Sequence, residues 1–116
     1  FRRVLFRSFP YNGVTTTCEA LWMGVPVVTL EGTREGGRIG ASIMRTVGLE
    51  ANIACDEPTY VARAAALAAE MKNAPMMREE LRAKVLASPL CDSASFARRF
   101  TDAIETLAER CVFDGL

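Results

Sequence analysis

The residues of this chain best suited to chemistry are three consecutive threonines, Thr15 to Thr17, which follow an Asn12-Gly13 turn. A loop that enters a helix through small polar residues presents unpaired backbone N–H groups and the positive end of the helix dipole. Both features attract a phosphate group. An acid, Glu19, comes two residues after the last threonine. The pattern therefore predicts a site for the phosphate of a nucleotide, with a nearby carboxylate for a sugar hydroxyl.

Each of these residues also has a plainer interpretation. A Ser/Thr run before a helix is most often an N-cap, and the dipole alone favours an acid such as Glu19 in the first turn. Arg38 could neutralise a phosphate or pair at the surface with Glu31 or Glu35. The glycines at 36 and 37 could allow close approach of a ligand or simply form a turn. The residues alone leave these alternatives open.

A helix and a strand must position the threonines. The helix is predicted from Thr15 or Thr16 to Met23, with Gly24 as the residue that ends it. Its apolar side is expected to consist of Cys18, Leu21 and Trp22, so that Trp22 lies in the core. The next residues, 25–30, are β-branched and almost wholly apolar, which predicts a parallel strand covered on both faces.

The rest of the chain alternates in the same way. After a loop at Glu31 to Gly37, the patterns predict a helix over Arg38 to Val47, a short edge strand at Asn52 to Cys55, and helices from the Asp56 cap to about Lys72, from Met76 to Ala87, and from Asp92 or Ser93 to Val112. This order is typical of the second, helix-rich half of a doubly wound, Rossmann-like α/β domain. The apolar strand needs partners on both sides that the chain does not obviously contain, which favours a fragment.

Apolar stripes at helical spacing indicate which helix faces are buried. In the third helix the stripe consists of Tyr60, Val61, Ala64, Leu67, Ala68 and Met71. In the last helix it consists of Phe96, Phe100, Ile104, Leu107 and Cys111. We expect the C-terminal helices to pack along the domain.

Composition sets bounds on partners and compartment. The 116 residues include 14 basic and 14 acidic ones, so nothing indicates nucleic acid or an anionic membrane as a partner. The longest apolar runs are too short to cross a bilayer. Because the chain has no histidine and its four cysteines are irregularly spaced, a metal site is not expected. Isolated thiols favour reduced, mostly buried cysteines in a cytoplasmic protein.

The first eight residues, Phe1 to Ser8, read FRRVLFRS. This is what a common sequencing-adapter oligonucleotide gives when it is translated in one frame. The alternative is a natural basic strand with an apolar centre at residues 4–6. We favour the adapter interpretation and set these residues aside from fold reasoning. The protein sequence proper is then expected to occupy residues 9–116 and to be a fragment.

The stretch from Asn12 to Thr29 resembles the catalytic domain of O-linked N-acetylglucosamine (O-GlcNAc) transferases, specifically the bacterial members. The matching positions are Asn12-Gly13, Thr15-Thr16, Glu19, Leu21-Trp22, Gly24, Pro26 and Val28-Thr29. Two further segments agree in order: RIGAS at Arg38 to Ser42, and SPLCD at Ser88 to Asp92 followed by Phe96-Ala97-Arg98. Together these matches cover nearly everything from Phe9 to about Leu107.

This resemblance implies a GT-B architecture, in which two Rossmann-like domains face each other across a cleft that holds UDP-N-acetylglucosamine (UDP-GlcNAc). The chain would be the C-terminal portion of the catalytic domain. By position, Thr15 and Thr16 fall on the threonines that contact the diphosphate, and Glu19 falls on the acid that holds the ribose hydroxyls. The UDP-binding set expected from the motif and the resemblance together is Asn12, Gly13, Thr15, Thr16, Thr17, Glu19 and Arg38.

Two positions depart from the eukaryotic pattern, and one short segment departs from the run expected in the family. Val14 stands where those members have a histidine, and Glu19 stands where they have an aspartate. Glutamate can still accept hydrogen bonds from a vicinal diol, whereas valine offers none, so the extra hydroxyl of Thr17 is a candidate replacement. Residues 35–37 (EGG) occupy the place of a His- or Leu-Ala-Ser run, which weakens any assignment of substrate contacts to that loop.

The function implied is the donor-binding part of a protein O-GlcNAc transferase, which transfers the sugar with inversion to Ser or Thr of an acceptor protein without a metal cofactor. An N-terminal catalytic domain and tetratricopeptide repeats are the expected upstream partners. The alternatives are a related transferase with another nucleotide sugar or an asparagine acceptor, and a non-catalytic interaction module. The catalytic residues are unknown because no general base is identifiable, and the chain by itself is not expected to turn over substrate.

Overall fold

The computed structural model describes residues 11–74 and 76–113, and the predicted interpretation of residues 1–8 lies outside them. In chain order the elements are helix α1 (Thr15–Trp22), strand β1 (Thr29–Leu30), helix α2 (Ile39–Thr46), strand β2 (Ile53–Ala54), and helices α3 (Glu57–Asn73), α4 (Met77–Leu86) and α5 (Ser93–Phe113). Short 3₁₀ turns occur at Glu35–Gly37 and Glu50–Asn52. The predicted order of helices and strands is confirmed.

The sheet in the described part of the chain consists of β1 and β2, which pair in parallel with Thr29 opposite Ile53 and Leu30 opposite Ala54. The predicted short strand after residue 52 is therefore confirmed. The strand expected from Val25 is shorter than predicted, because the amide of Val25 donates to the carbonyl oxygen of Ala20 at 2.8 Å instead of to a neighbouring strand.

The segment that leads into β1 is covered on both faces, as its sequence predicts. Val27 packs with Leu21 and Met44 in a core formed by α1, α2 and α4. Val28 packs on the opposite side with Leu67 of α3. Because adjacent residues of an extended segment point to opposite faces, this one stretch separates the two cores.

Local signals determine where the helices begin and end. Gly24 and Gly48, which follow α1 and α2, both have a φ of 69°, a conformation that favours glycine. Asp56 caps α3 by accepting a hydrogen bond from the amide of Thr59 at 2.7 Å. Asp92 caps α5 in the same way, with the amide of Ser95 at 2.9 Å. These predicted caps are confirmed.

The prediction that Trp22 lies in the core is wrong. Leu21 is fully buried, whereas Trp22 is 40% exposed. Successive residues of a helix point about 100° apart, and α4 packs on the Leu21 side of α1 through Leu81. The indole instead lies at the surface with the guanidinium carbon of Arg82 5.0 Å from the ring centroid, which is within the range of a cation–π contact.

The expectation of mostly buried cysteines is also wrong. The four cysteines are free, and three of them, Cys55, Cys91 and Cys111, are exposed. Cys18 is half-buried at the edge of the core. Its burial raises the pKa of its thiol.

The two C-terminal helices differ in how they pack. Leu81 and Val85 of α4 are buried in the first core, so packing along the domain is confirmed for α4. The stripe of α5 is exposed at Phe96, Phe100, Ile104 and Leu107, so the same prediction is wrong for α5 among the residues that the structure describes. In α3, Ala64 and Leu67 are buried while Val61 is 61% exposed. None of the helices in the described ranges is long and apolar enough to cross a membrane.

Candidate functional site

The loop that enters α1 is anchored to the body of the molecule by Asn12. This side chain is only 1% exposed. Its backbone amide donates to the carbonyl oxygen of Gly36 at 2.9 Å, and its Oδ1 accepts from the amide of Gly40 at 2.9 Å. The residues that follow, Thr15 and Thr16, are exposed. The entrance to α1 is therefore fixed at its base and open to solvent at the helix start.

The three threonines do not share one environment. Thr17 is 6% exposed, and its hydroxyl donates to the carbonyl oxygen of Gly13 at 2.5 Å. Because a hydroxyl has one proton to donate, this contact uses the donor that a phosphate oxygen would need. Thr17 thus holds the turn in shape, while the hydroxyls of Thr15 and Thr16 lie on the exposed side. The sequence suggested that the Thr17 hydroxyl replaces the histidine that eukaryotic members have at the position of Val14. This geometry does not favour that role for Thr17.

The start of α1 leaves backbone donors available. Val14 is the N-cap residue, and no side chain caps the helix. Among the described residues, Cys18 is the first in α1 whose amide has a backbone acceptor, the carbonyl oxygen of Val14 at 3.1 Å. The plainer interpretation of the threonines as an N-cap is therefore wrong. Exposed hydroxyls and unpaired amides at the positive end of a helix form a site for an anion.

Glu19 lies one turn further along α1. It is exposed, and the first turn of the helix contains no acid, so the dipole-favoured first-turn position does not explain it. Residues four apart lie on the same helix face, which places Glu19 beside Thr15. A carboxylate thus lies about one helical turn from the exposed hydroxyl.

Arg38 takes part in a surface ion pair. Its Nε lies 3.9 Å from Oε1 of Glu31, and its side chain is 64% exposed. Glu31 is held more closely by Arg45, whose two terminal nitrogens donate to the carboxylate at 3.0 and 2.7 Å. These hydrogen bonds keep the pKa of the Glu31 carboxyl below its usual range. Arg38 also lines an open cavity of about 550 Å³ along α2, together with Thr33, Glu35, Ile39, Ser42, Arg45 and Thr46.

The glycines of the loop before α2 serve packing within the chain. A Cβ at Gly36 would lie 2.7 Å from a ring carbon of Tyr11. Gly37 is buried, and its carbonyl oxygen accepts from the amide of Gly32 at 2.9 Å. Of the two alternatives for this pair, the structure shows a turn packed against the aromatic ring.

Within the described ranges, no three His, Cys, Asp or Glu residues lie close enough together to hold a metal ion.

Sequence reasoning missed two residues that shape the site, Thr29 and Gly40. The hydroxyl of Thr29 lies 3.5 Å from Oδ1 of Asn12, so the start of β1 and the start of α2 both reach this side chain. An Asn-Gly pair is a turn signal, and it gives no indication of partners 17 and 28 residues away. Only the glycine inside the RIGAS segment hinted that another chain segment approaches there.

Comparison with known proteins settles the family. The family model described as glycosyl transferase family 41 matches residues 8–100. The chain belongs to this family. A curated relative is the probable UDP-N-acetylglucosamine–peptide N-acetylglucosaminyltransferase SPINDLY of Solanum lycopersicum, 42% identical over 103 residues, which are 89% of this chain and 11% of that protein. SPINDLY of Arabidopsis thaliana is 41% identical over 90 residues, 78% of this chain and 10% of that protein.

A solved structure gives the same result for the fold of this family 41 chain. A mutant of the Thermobaculum terrenum O-GlcNAc transferase is similar with a TM-score of 0.72 and 38% identity, over 83% of this chain and 18% of that chain. The predicted resemblance and the predicted fold, part of a Rossmann-like domain of the GT-B type, are confirmed. The chain spans about a tenth of the length of the curated relatives it matches.

Proposed function

We propose that this chain binds the diphosphate and ribose of UDP-GlcNAc, as the donor-side part of a protein O-GlcNAc transferase. The observation that carries the proposal is the start of α1, where Thr15 and Thr16 are exposed and the amides of Thr15 to Thr17 have no backbone acceptor among the described residues. The substrate class follows from relatives about 40% identical to this chain, which are named as probable UDP-N-acetylglucosamine–peptide N-acetylglucosaminyltransferases.

In the proposed reaction, a Ser or Thr hydroxyl of the acceptor protein attacks the anomeric carbon of the sugar with inversion. The bond from that carbon to the diphosphate oxygen breaks, and negative charge builds on the departing UDP. The hydroxyls of Thr15 and Thr16, the helix amides and the positive end of the α1 dipole stabilise that charge. The proposal requires no metal cofactor for this step.

Glu19 is the proposed ligand of the ribose. Its exposed carboxylate, about one turn from Thr15, can accept hydrogen bonds from both hydroxyls of a vicinal diol. We propose a secondary role for Arg38, as a cation near the site. Glu31 partly neutralises the charge of this side chain. Asn12, Gly13 and Thr17 complete the proposed set by shaping the turn.

The proton of the acceptor hydroxyl needs a base, and this chain has no histidine and offers no candidate. We propose that the longer protein supplies the base from an N-terminal catalytic domain, preceded by tetratricopeptide repeats. We also propose that this protein is cytoplasmic, since its substrates would be proteins of that compartment. The donor site itself is testable on the present chain.

Calorimetric titration of the chain with UDP is the first experiment. Thr16→Ala removes a donor to the diphosphate, and Glu19→Ala removes the acceptor for the ribose. Because a hydrogen bond to a charged group contributes about 1.5–3 kcal/mol, Thr16→Ala is expected to weaken UDP binding roughly tenfold or more. Glu19→Ala is expected to weaken it roughly tenfold or more by the same argument.

Matched controls are available in α5. Thr101→Ala and Glu105→Ala make the same chemical changes at exposed helix positions outside both cores, and both should bind UDP like the wild type. Saturable binding of GDP in preference to UDP would show that the donor is another nucleotide sugar and not UDP-GlcNAc. Absence of binding to either nucleotide would contradict the proposal and favour a non-catalytic interaction module.

A further inference from the structure

Asn12 connects three parts of the fold through one buried side chain. It belongs to the loop before α1, and its backbone amide donates to Gly36 O at 2.9 Å. Its Oδ1 accepts from the amide of Gly40 in α2 at 2.9 Å and lies 3.5 Å from the hydroxyl of Thr29 in β1. We call this set of contacts the Asn12 anchor.

The hydrogen bond from the Gly40 amide to Asn12 supplies an acceptor that α2 itself cannot provide. Gly40 is the second residue of α2, and the first four amides of a helix have no acceptor within it. No side chain caps α2 at its N-cap residue, Arg38. Asn12 therefore caps α2 from a distant part of the chain, while its own backbone leads directly into α1.

The anchor depends on the absence of a side chain at residue 40. A Cβ there would overlap with the hydroxyl oxygen of Thr29 and would lie 2.8 Å from Oδ1 of Asn12. Glycine thus permits the close approach of the three segments. This explains why a glycine stands in the first turn of α2, where alanine is the better helix former.

The anchor continues into the threonine turn. Gly13 follows Asn12 directly, its carbonyl oxygen accepts from the Thr17 hydroxyl, and a Cβ added at Gly13 would overlap with the hydroxyl oxygen of Thr16. The position of Asn12 therefore sets the position of Gly13, which in turn sets where the start of α1 lies relative to β1 and α2.

We propose that Asn12 is a positioning residue of the donor site, which orients the Thr15 and Thr16 hydroxyls and the α1 amides without touching the nucleotide. This inference rests on the proposed function, since it concerns the same site. Its burial, with 1% of the residue exposed, keeps the side chain from contact with a ligand in solution. Pre-organised donors bind an anion more tightly than donors that must be ordered on binding.

The test measures UDP affinity by calorimetry for folded variants of this chain. Asn12→Ala removes the acceptor and should weaken UDP binding roughly tenfold or more. Asn12→Asp keeps an oxygen opposite the Gly40 amide and should stay within about threefold of the wild type. Gly40→Ala leaves Asn12 intact but pushes its side chain away, and should give the same loss as Asn12→Ala.

Asn52→Ala separates positioning from general loss of stability. Asn52 is also buried, at 4% exposure, and its Oδ1 accepts from Nε of Arg63 at 3.0 Å, but it precedes β2 instead of α1. This variant should lose a similar amount of thermal stability and bind UDP like the wild type. Hydrogen exchange of the Cys18 amide, which donates to the carbonyl oxygen of Val14 in the first turn of α1, should accelerate in Asn12→Ala and not in Asn52→Ala.

Each result of these measurements either supports or overturns the positioning role of Asn12. If the wild type binds UDP and both Asn12→Ala and Gly40→Ala bind it equally well, the positioning role is wrong and the proposed donor site stands. If Asn12→Ala and Gly40→Ala do not fold, a folded Asn12→Asp that has lost UDP binding overturns the inference, and one that retains it supports the inference. If the wild type does not bind UDP, the proposed function fails and the inference fails with it.

Discussion

Two surface carboxylates, Glu31 and Asp56, are kept ionised by different neighbours. Hydrogen bonds from Arg45 hold the pKa of the Glu31 carboxyl below its usual range. For Asp56, hydrogen bonds from the side chain and the amide of Thr59 lower the pKa of the carboxyl. A carboxyl group whose pKa is lower in the folded chain stabilises that state fully above its unfolded pKa, and the contribution is lost as the pH falls through the folded-state pKa.

Replacement of Asp56 by Asn should change the acid limb of the stability profile. Asparagine is also a good N-cap, so Asp56→Asn keeps the cap of α3 but removes the titrating group. Below the ordinary aspartate pKa of about 3.9, the free energy of unfolding of the wild type should fall more steeply with decreasing pH than that of the variant. Urea unfolding followed by circular dichroism at several pH values between about 2.5 and 6 measures both slopes.

The control for this prediction is Glu105→Gln in α5, an exposed acid outside both cores. It should keep the wild-type acid slope. An Asp56→Asn variant whose slope equals that of the wild type would show that the hydrogen bonds from Thr59 do not lower the carboxyl pKa in solution.

Among the elements, α1 and α2 end in the same way but meet α4 differently. Gly24 and Gly48 have the same φ of 69°. A Cβ at Gly24 would lie 2.5 Å from the backbone carbonyl oxygen of Arg78. A Cβ at Gly48 would lie 3.3 Å from Cε of Lys84, the flexible end of a side chain. The first contact is rigid, and the second can adjust.

These two glycines form a matched pair for mutation. Gly48→Ala should cost about 1–2 kcal/mol, which is the penalty of an L-residue in the left-handed conformation. Gly24→Ala should cost roughly 1–3 kcal/mol more, because overpacking against the α4 backbone adds to that penalty. Urea unfolding of both variants gives the difference, and equal losses would mean that α4 shifts away from α1 at little cost.

The elements themselves were largely predictable because their signals are local. Asp56, Gly24 and Gly48 specify helix ends through contacts within a few residues. The face of α1 was not predictable in the same way, since the spacing of Leu21 and Trp22 allows either to point inward and α4 decides between them. The burial of Asn12 depends on hydrogen bonds to segments far along the chain, which no local pattern reveals.

The candidate site also has some features that local sequence signals predict and others that depend on tertiary contacts. The threonine run at residues 15–17 and the acid at Glu19 were identifiable from residue type and spacing alone. That Thr17 turns inward to Gly13 while Thr15 and Thr16 stay exposed depends on the path of the preceding loop. The anchor at Asn12 fixes that path, so the finer arrangement of the site follows from tertiary contacts.

The molecule as a whole is elongated, and α5 lies outside both cores. Its radius of gyration is 17.3 Å, whereas a compact chain of this length has about 13 Å. No described residue of α5 belongs to either core. The helix carries an exposed apolar stripe that includes Phe96, Phe100 and Ile104, and a surface of this kind favours association.

Removal of α5 should leave the rest of the fold intact. A chain that ends at Asp92 is expected to unfold within about 5 °C of the full chain, because both cores remain complete. It should also lose most of the concentration-dependent association, since the apolar stripe is gone. Calorimetry gives the unfolding temperature, and sedimentation equilibrium gives the mass.

Leu67→Ala is the contrasting variant for this experiment. Leu67 is fully buried on the inner face of α3, and its truncation should cost about 2–5 kcal/mol while leaving association unchanged. A truncated chain that unfolds as readily as this variant would show that α5 contributes to the cores in solution.

The elongated outline of the molecule also affects hydrodynamic measurements. Principal extents of 59 × 29 × 19 Å describe a rod-like particle whose frictional drag exceeds that of a sphere of equal mass. A single copy should therefore elute from a gel-filtration column ahead of globular standards of 12.7 kDa. An apparent dimer judged from elution volume alone would reflect molecular outline as much as stoichiometry.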